Sequence, residues 1–127
     1  MQRAGSEVWL VLTSEAGEPR AEELARALLE LRLAACISLI PVRSLYHWQG
    51  ALEDSREVQL LIKTDRSHLA ALHEAVLQRH GYATPLWLEW PAQSDQGYGA
   101  WLAAELVSPG AGSPAGADPP GDEDPAG

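Results

Sequence analysis

The chain is short of several things at once, and each shortage removes a class of function. A single cysteine, Cys36, rules out any intrachain disulfide and fits a reducing compartment. Basic residues are scarce: nine Lys and Arg stand against eighteen Asp and Glu, for a formal charge of −9. The nine cations are scattered along the chain, so no cluster is in place to hold a phosphate backbone, and no nucleic-acid partner is expected. The opening Met1-Gln-Arg-Ala-Gly-Ser has no apolar core of a signal peptide, and no later run is long enough to cross a bilayer. Cytoplasmic residence without a membrane partner is the expectation. Also missing are a Gly-rich phosphate loop, a His-Glu-x-x-His pair, paired-Cys spacing and a nucleophile elbow, so no catalytic residues are assigned and no enzymatic activity is expected.

What is present divides into two parts. Residues 1–107 carry hydrophobic periodicity and read as one domain. From Ser108 to Gly127 the chain holds only Gly, Pro, Ala, Ser, Asp and Glu, with no large apolar side chain to offset the entropy of ordering it. That segment reads as a disordered acidic tail. Its Asp118, Asp122, Glu123 and Asp124 account for four of the nine excess negative charges and leave the domain near minus five.

Within the domain, Glu7–Thr13 is rich in β-branched and aromatic residues and predicts a first strand. From Pro19 or Arg20 the period changes. Leu24, Ala27, Leu28 and Leu31 fall at i, i+3, i+4 and i+7, the buried stripe of an amphipathic helix. A long second strand runs from about Cys36 to Trp48, with a bulge or an edge position expected at Pro41 because proline cannot donate to a ladder. Gln49-Gly50 is a turn, and the polar Leu52–Arg56 stretch reads as a prolonged connection. Strand three, Glu57–Thr64, places Val58, Leu60, Ile62 and Thr64 on one face, toward the core. A second helix is predicted over Arg66–His80, capped by Thr64 or Asp65 and stopped by Gly81. Strand four is read at Pro85–Trp90 with Pro91 ending it, and Tyr98, Trp101, Leu102 and Leu106 form the apolar side of a last helix.

The order β-α-β-β-α-β-α predicts an α+β, ferredoxin-like βαββαβ sandwich with an additional C-terminal helix. Trp9, Val11, Leu61, Tyr46, Trp48, Trp87 and Trp90 either fill one monomeric core, which composition alone favours, or exceed what two short helices bury and mark an interface, the reading that the long hairpin favours.

Several short motifs then occur in a fixed order: Leu33-Ala-Ala-Cys36, Ile40-Pro41, Ser44-Leu-Tyr46-x-Trp48-x-Gly50, Leu61-Ile-Lys63-Thr64 and His80-x-Tyr82-x-x-Pro85. Over residues 7–106 the chain resembles the CutA-type divalent-cation tolerance proteins. The resemblance implies a homotrimer built like the PII signalling proteins, and a role in tolerance of copper and other divalent cations, with a metal ion bound weakly. It places His80 and Tyr82 at a cleft between subunits. The chain also departs from the family. Where members read His-Pro-Tyr-Glu-Val-Pro-Glu, this chain reads His80-Gly-Tyr82-Ala-Thr-Pro85-Leu86, without either carboxylate. Ser38 replaces an Asn, and a Gly after Pro41 is missing, which predicts a register change there.

Four side chains follow as candidates. Cys36 is either a small buried hydrophobe or a soft ligand for copper, helped by an imidazole from its own or a neighbouring subunit, with His80 the first choice. Lys63, the sole lysine, either pairs with Glu89 or joins Tyr82 in holding a small anionic ligand. His73 and His80, about 10 Å apart on one helix, cannot share an ion. His47 and His68 read as exposed polar positions. Two further readings stay open beside the metal-binding one: a PII-like small-molecule or signalling module, and a structural trimer scaffold.

Overall fold

A computed structural model describes residues 5–106. The expected acidic tail, residues 108–127, lies outside the described residues. The elements are β1 Gly5–Glu15, α1 Glu18–Glu30, β2 Cys36–Trp48, β3 Ala51–Thr64, a 3-10 turn at Arg66–His68, α2 Leu69–Arg79, β4 Leu88–Asp95 and α3 Gln96–Glu105. The strands form one antiparallel sheet in the order β2-β3-β1-β4. This is the ferredoxin-like α+β arrangement. None of the described helices is long and apolar enough to cross a membrane.

The β2–β3 hairpin corrects two expectations. Gln49 and Gly50 both have positive φ, 50° and 81°, which is the two-residue turn whose twist matches that of the flanking strands. Trp48 therefore pairs directly with Ala51, and the ladder runs in unbroken register to Cys36 and Lys63. Leu52–Arg56 is strand, not connection. It is polar because this end of the hairpin projects past the helices and is solvated, and Arg43 grips Asp54 across the strands with two hydrogen bonds of 2.8 and 2.7 Å. No register change occurs at Pro41, which sits opposite Val58 on an edge strand where its missing N–H costs no ladder bond.

β4 is displaced from its expected position for the same reason. Pro91 lies inside the strand, opposite Trp9, rather than ending it. As the other edge strand, β4 faces a neighbour on one side only, so a proline can point its ring nitrogen outward.

The core lies between the sheet and α1 with α2. Val11, Leu60 and Ile62 from the strands and Leu28 and Leu72 from the helices are fully buried. Val58, Leu60, Ile62 and Thr64 all face inward, as the alternation requires. The α1 stripe is Ala21, Leu24, Ala25 and Leu28; Leu31 is the C-cap residue and is 44% exposed, because Arg32 turns the chain away through a left-handed conformation.

Asp65 caps the second helical segment. Its Oδ1 accepts from the His68 backbone N–H at 3.1 Å, from the Ser67 hydroxyl at 2.8 Å and contacts His68 Nδ1 at 2.6 Å. His68 is thereby buried, correcting the exposed position expected of it. Burial pushes the Asp65 carboxyl up, but the bonds from His68 and Ser67 outweigh that and hold it below the usual carboxylate range. A carboxyl lowered in the folded state contributes stability above its unfolded value, near 4, and loses it as pH falls through the lower folded value. Asp65→Ala is expected to cost about 1 kcal/mol at neutral pH. In urea unfolding, the gap from the parent chain should close once the pH is below the folded value.

The third helix packs on the opposite side of the sheet from α1 and α2. Ser6 and Ser94 are register partners on β1 and β4, and Gly99 of α3 lies directly against both. Val8 and Leu102 are buried beside this contact, outside the main core. The rest of this face stays open. Leu10 and Leu12 of β1 share it with Leu61, Trp90 and Leu88 through the strand register, and Ile40, Tyr46 and Trp48 extend it along β2. Trp48 and Leu88 are each about half exposed. The expected apolar excess is thus partly redistributed. Trp9 and Val11 point to the helix-covered side. Trp87 packs against the main core and stacks on His73 at 4.2 Å.

Candidate functional site

The four candidate side chains fall into two clusters rather than one. At the α3 end of the sheet, Cys36 and Lys63 are cross-strand partners. The Lys63 ammonium donates to Ser38 Oγ at 3.0 Å and reaches Cys36 Sγ at 3.7 Å. Tyr98 of α3 stands nearby: burial pushes its hydroxyl up, and the Cys36 sulfur adds to the shift. The expected Lys63–Glu89 pair is not formed. Lys63 is on the open-face side of β3, Glu89 is on the helix-covered side of β4, and β1 separates the two strands.

At the far end of β1 the second cluster surrounds His80. Its imidazole is fully buried, and both ring nitrogens are engaged. Nδ1 accepts the Tyr82 backbone N–H at 3.0 Å, which leaves Nε2 to donate to the Ser14 carbonyl. The Tyr82 ring lies 5.0 Å from the imidazole. Burial raises the Tyr82 hydroxyl, with the negative charges of Glu57 and Glu15 adding to it.

Glu15 was not singled out in the sequence, and it organises this cluster. Its carboxylate is 1% exposed. Oε2 accepts the Gly81 N–H at 3.2 Å and stands 3.9 Å from His80 Nδ1. Oε1 has no hydrogen-bond donor, with the Arg20 Nε 3.6 Å away. The signal for it lies in Gly81 itself. Proline in the related His-Pro-Tyr motif has no N–H, whereas glycine supplies one, and a carboxylate in phase with Val11 and Thr13 accepts it.

One chain does not unite Cys36 with His80, or Lys63 with Tyr82. Ser14, bonded to His80, is registered at Gln59, four residues along β3 from the Lys63–Cys36 pair. At a strand rise of 3.3 Å that is about 13 Å. Among the described residues no group of three or more His, Cys, Asp or Glu side chains converges to hold a metal ion. A separate cleft of about 370 Å³ opens between the start of α1 and the base of the hairpin, lined by Gly17, Arg43, Arg56 and Glu57 among others.

Fold and clusters together define a class: a ferredoxin-like domain, sheathed by helices on one side and largely bare on the other. The family model of the CutA1 divalent ion tolerance protein matches residues 9–105. A divalent-cation tolerance protein CutA of Pectobacterium atrosepticum is 46% identical over 99 residues, covering 76% of this chain and 90% of its own. One from Yersinia pestis is 42% identical over 100 residues, covering 77% and 84%. Among solved structures, CutA from Synechococcus elongatus superposes with a TM-score of 0.78 at 35% identity, over 82% of this chain and 96% of its own. CutA1 from Oryza sativa gives 0.77 at 29%, over 80% and 94%. The chain belongs to the CutA1 divalent ion tolerance family.

Proposed function

We propose that this chain acts in the cytoplasm as a homotrimer that takes part in the response to divalent cations, copper among them, binding the ion weakly and catalysing no reaction. The observation that carries this reading is the bare sheet face. Ile40, Tyr46, Trp48, Leu88 and Trp90 are 38–51% exposed on one side of the sheet, an area that a soluble single chain rarely leaves in water. Three copies packed face to face would cover it.

The two-cluster geometry also favours an ion held between subunits. Cys36 supplies a soft thiolate and His80 an imidazole, but they stand at different ends of one chain, so a shared ion needs them from different copies. His80 would have to release the Tyr82 N–H to offer its Nδ1 lone pair. Native mass spectrometry with Cu(I) or Zn(II) should show three chains and a small, saturable metal load, reduced in Cys36→Ser and in His80→Ala. Unchanged loading in both variants removes these residues as ligands.

A second reading is favoured by a specific observation. Among the described residues neither Lys63 nor Arg56 has a carboxylate hydrogen-bonded to it, and Arg56 lines the 370 Å³ cleft. A PII-like module that holds a small anion, with Lys63 and Tyr82 brought together from neighbouring copies, would draw on these two cations, of which Arg56 also lies in the field of Asp54. A thermal-shift screen separates the two readings, since a ligand of the folded state raises the melting temperature by mass action.

A further inference from the structure

We propose that Cys36 and Lys63 are an oxidant-driven crosslinking pair, closing a covalent sulfur–nitrogen bond between β2 and β3. They are the sole cysteine and the sole lysine of the chain, and the hairpin register sets them directly opposite one another. Directly opposed residues of an antiparallel pair have Cβ atoms about 5 Å apart, so their side chains meet without backbone movement. The contact is already made, with Nζ 3.7 Å from Sγ. Ser38 Oγ, 3.0 Å from Nζ, holds the amine in place, and no described carboxylate forms an ion pair with it. Both residues are half-buried in the single chain, neither sealed in the main core.

The chemistry balances in two steps. Hydrogen peroxide first oxidises the Cys36 thiol to a sulfenic acid and is itself reduced to water: the sulfur gives up two electrons, the O–O bond breaks and an S–O bond forms. The Lys63 ammonium gives one proton to solvent water, and the neutral amine so formed attacks that sulfur, forming the S–N bond as the S–O bond breaks. The hydroxyl of the sulfenic acid leaves with one amine proton as a second water, and a sulfenamide remains. Sulfenic acids are normally resolved by a second thiol or a nearby nitrogen. With no second cysteine in the chain, the lysine amine is the nucleophile within reach. Two equivalents of an external thiol restore Cys36 and Lys63 and leave as their own disulfide. Closure removes a thiol and a cation together, and so withdraws the soft ligand of the cation reading. It does not depend on that reading.

The sequence supplies its own assay. Endoproteinase Lys-C cuts after lysine and has a single site here, Lys63. Full-length protein is treated with hydrogen peroxide in the presence of a metal chelator, then denatured, digested and weighed. The crosslinked chain should be lighter than the reduced chain by two hydrogens and resist Lys-C, and dithiothreitol should reverse both changes. Cys36→Ser should show neither change. Lys63→Arg, with Lys63→Met as the alternative if the arginine does not fold, should gain oxygen atoms instead of losing hydrogens. The proposal is overturned if the parent chain gains one to three oxygens as the lysine variants do and stays cleavable at Lys63, or if it forms only a disulfide between two chains.

Discussion

With Ile40→Lys and Leu88→Lys combined, a three-chain particle is expected to become a folded single chain. Both residues lie on the open face, on β2 and β4, the two edge strands of the sheet, and are 40% and 51% exposed in one chain. Covering a large apolar side chain stabilises an assembly by about 1.5–3 kcal/mol relative to leaving it wet. An unpaired ammonium in the same place costs several kcal/mol instead. Two such changes per chain, repeated in each copy, outweigh what a compact interface provides, so the particle mass in native spectra or sedimentation should fall to one third. The far-ultraviolet dichroism should stay unchanged, because neither residue belongs to the buried core. A parent chain that already sediments as a folded monomer at micromolar concentration would refute the trimer and the shared-ion site with it.

Gly99→Ala should be the most damaging single methyl in the domain. A Cβ at this position would stand 2.4 Å from Ser6 Cβ and 2.9 Å from Ser94 Oγ, distances that packed carbon and oxygen atoms do not reach. The obstruction is a Cβ fixed to the β1 backbone, so it cannot swing aside as the end of a long side chain would. Overpacking of this kind costs about 1–3 kcal/mol. The helix must lift, which uncovers Val8 and Leu102 and opens the Cys36 end of the sheet to solvent. Chemical denaturation should show the loss, and a maleimide should label Cys36 faster. Ser6→Gly removes the opposing Cβ, so the double variant should recover most of the stability, a coupling that independent sites would not show. Full stability in Gly99→Ala alone would mean that α3 does not dock as described.

How far the chain could be read from its sequence differs element by element. Val58, Leu60, Ile62 and Thr64 alternate cleanly, and all four are buried, because period-two patterning answers directly to one covered face. Asp65 was readable as a cap, since a short acceptor before a helical period has one local use. Pro91 and Leu52–Arg56 depart from their local pattern for a shared reason, both lying inside strands. Proline ends a central strand but not an edge strand, and polar residues leave a covered strand but not one that projects past the helices. Edge position and projection depend on strand order, which no local pattern contains.

The same division runs through the candidate site. The motifs around Cys36, Lys63, His80 and Tyr82 were visible as residues worth testing, and their family likeness follows from their order alone. Their grouping was not visible. Cys36 has no basic neighbour in sequence, yet across the sheet it faces an ammonium. His80 reads as a ligand in its motif, yet both nitrogens are held by backbone groups, one of them from β1. Glu15 carried no motif at all, and only its burial beneath Gly81 gives it a role.

By itself, then, the amino-acid order determined the β-α-β-β-α-β-α frame, the buried face of β3, and the family. These follow from short-range periodicity and from solvent transfer, which act within a few residues of chain. Only the tertiary structure decided which strands are edges, that one sheet face stays bare beyond α3, and that the candidate residues form two clusters about 13 Å apart along the strands. Those depend on pairing between segments distant in sequence, where a register set by a two-residue turn decides which side chains meet.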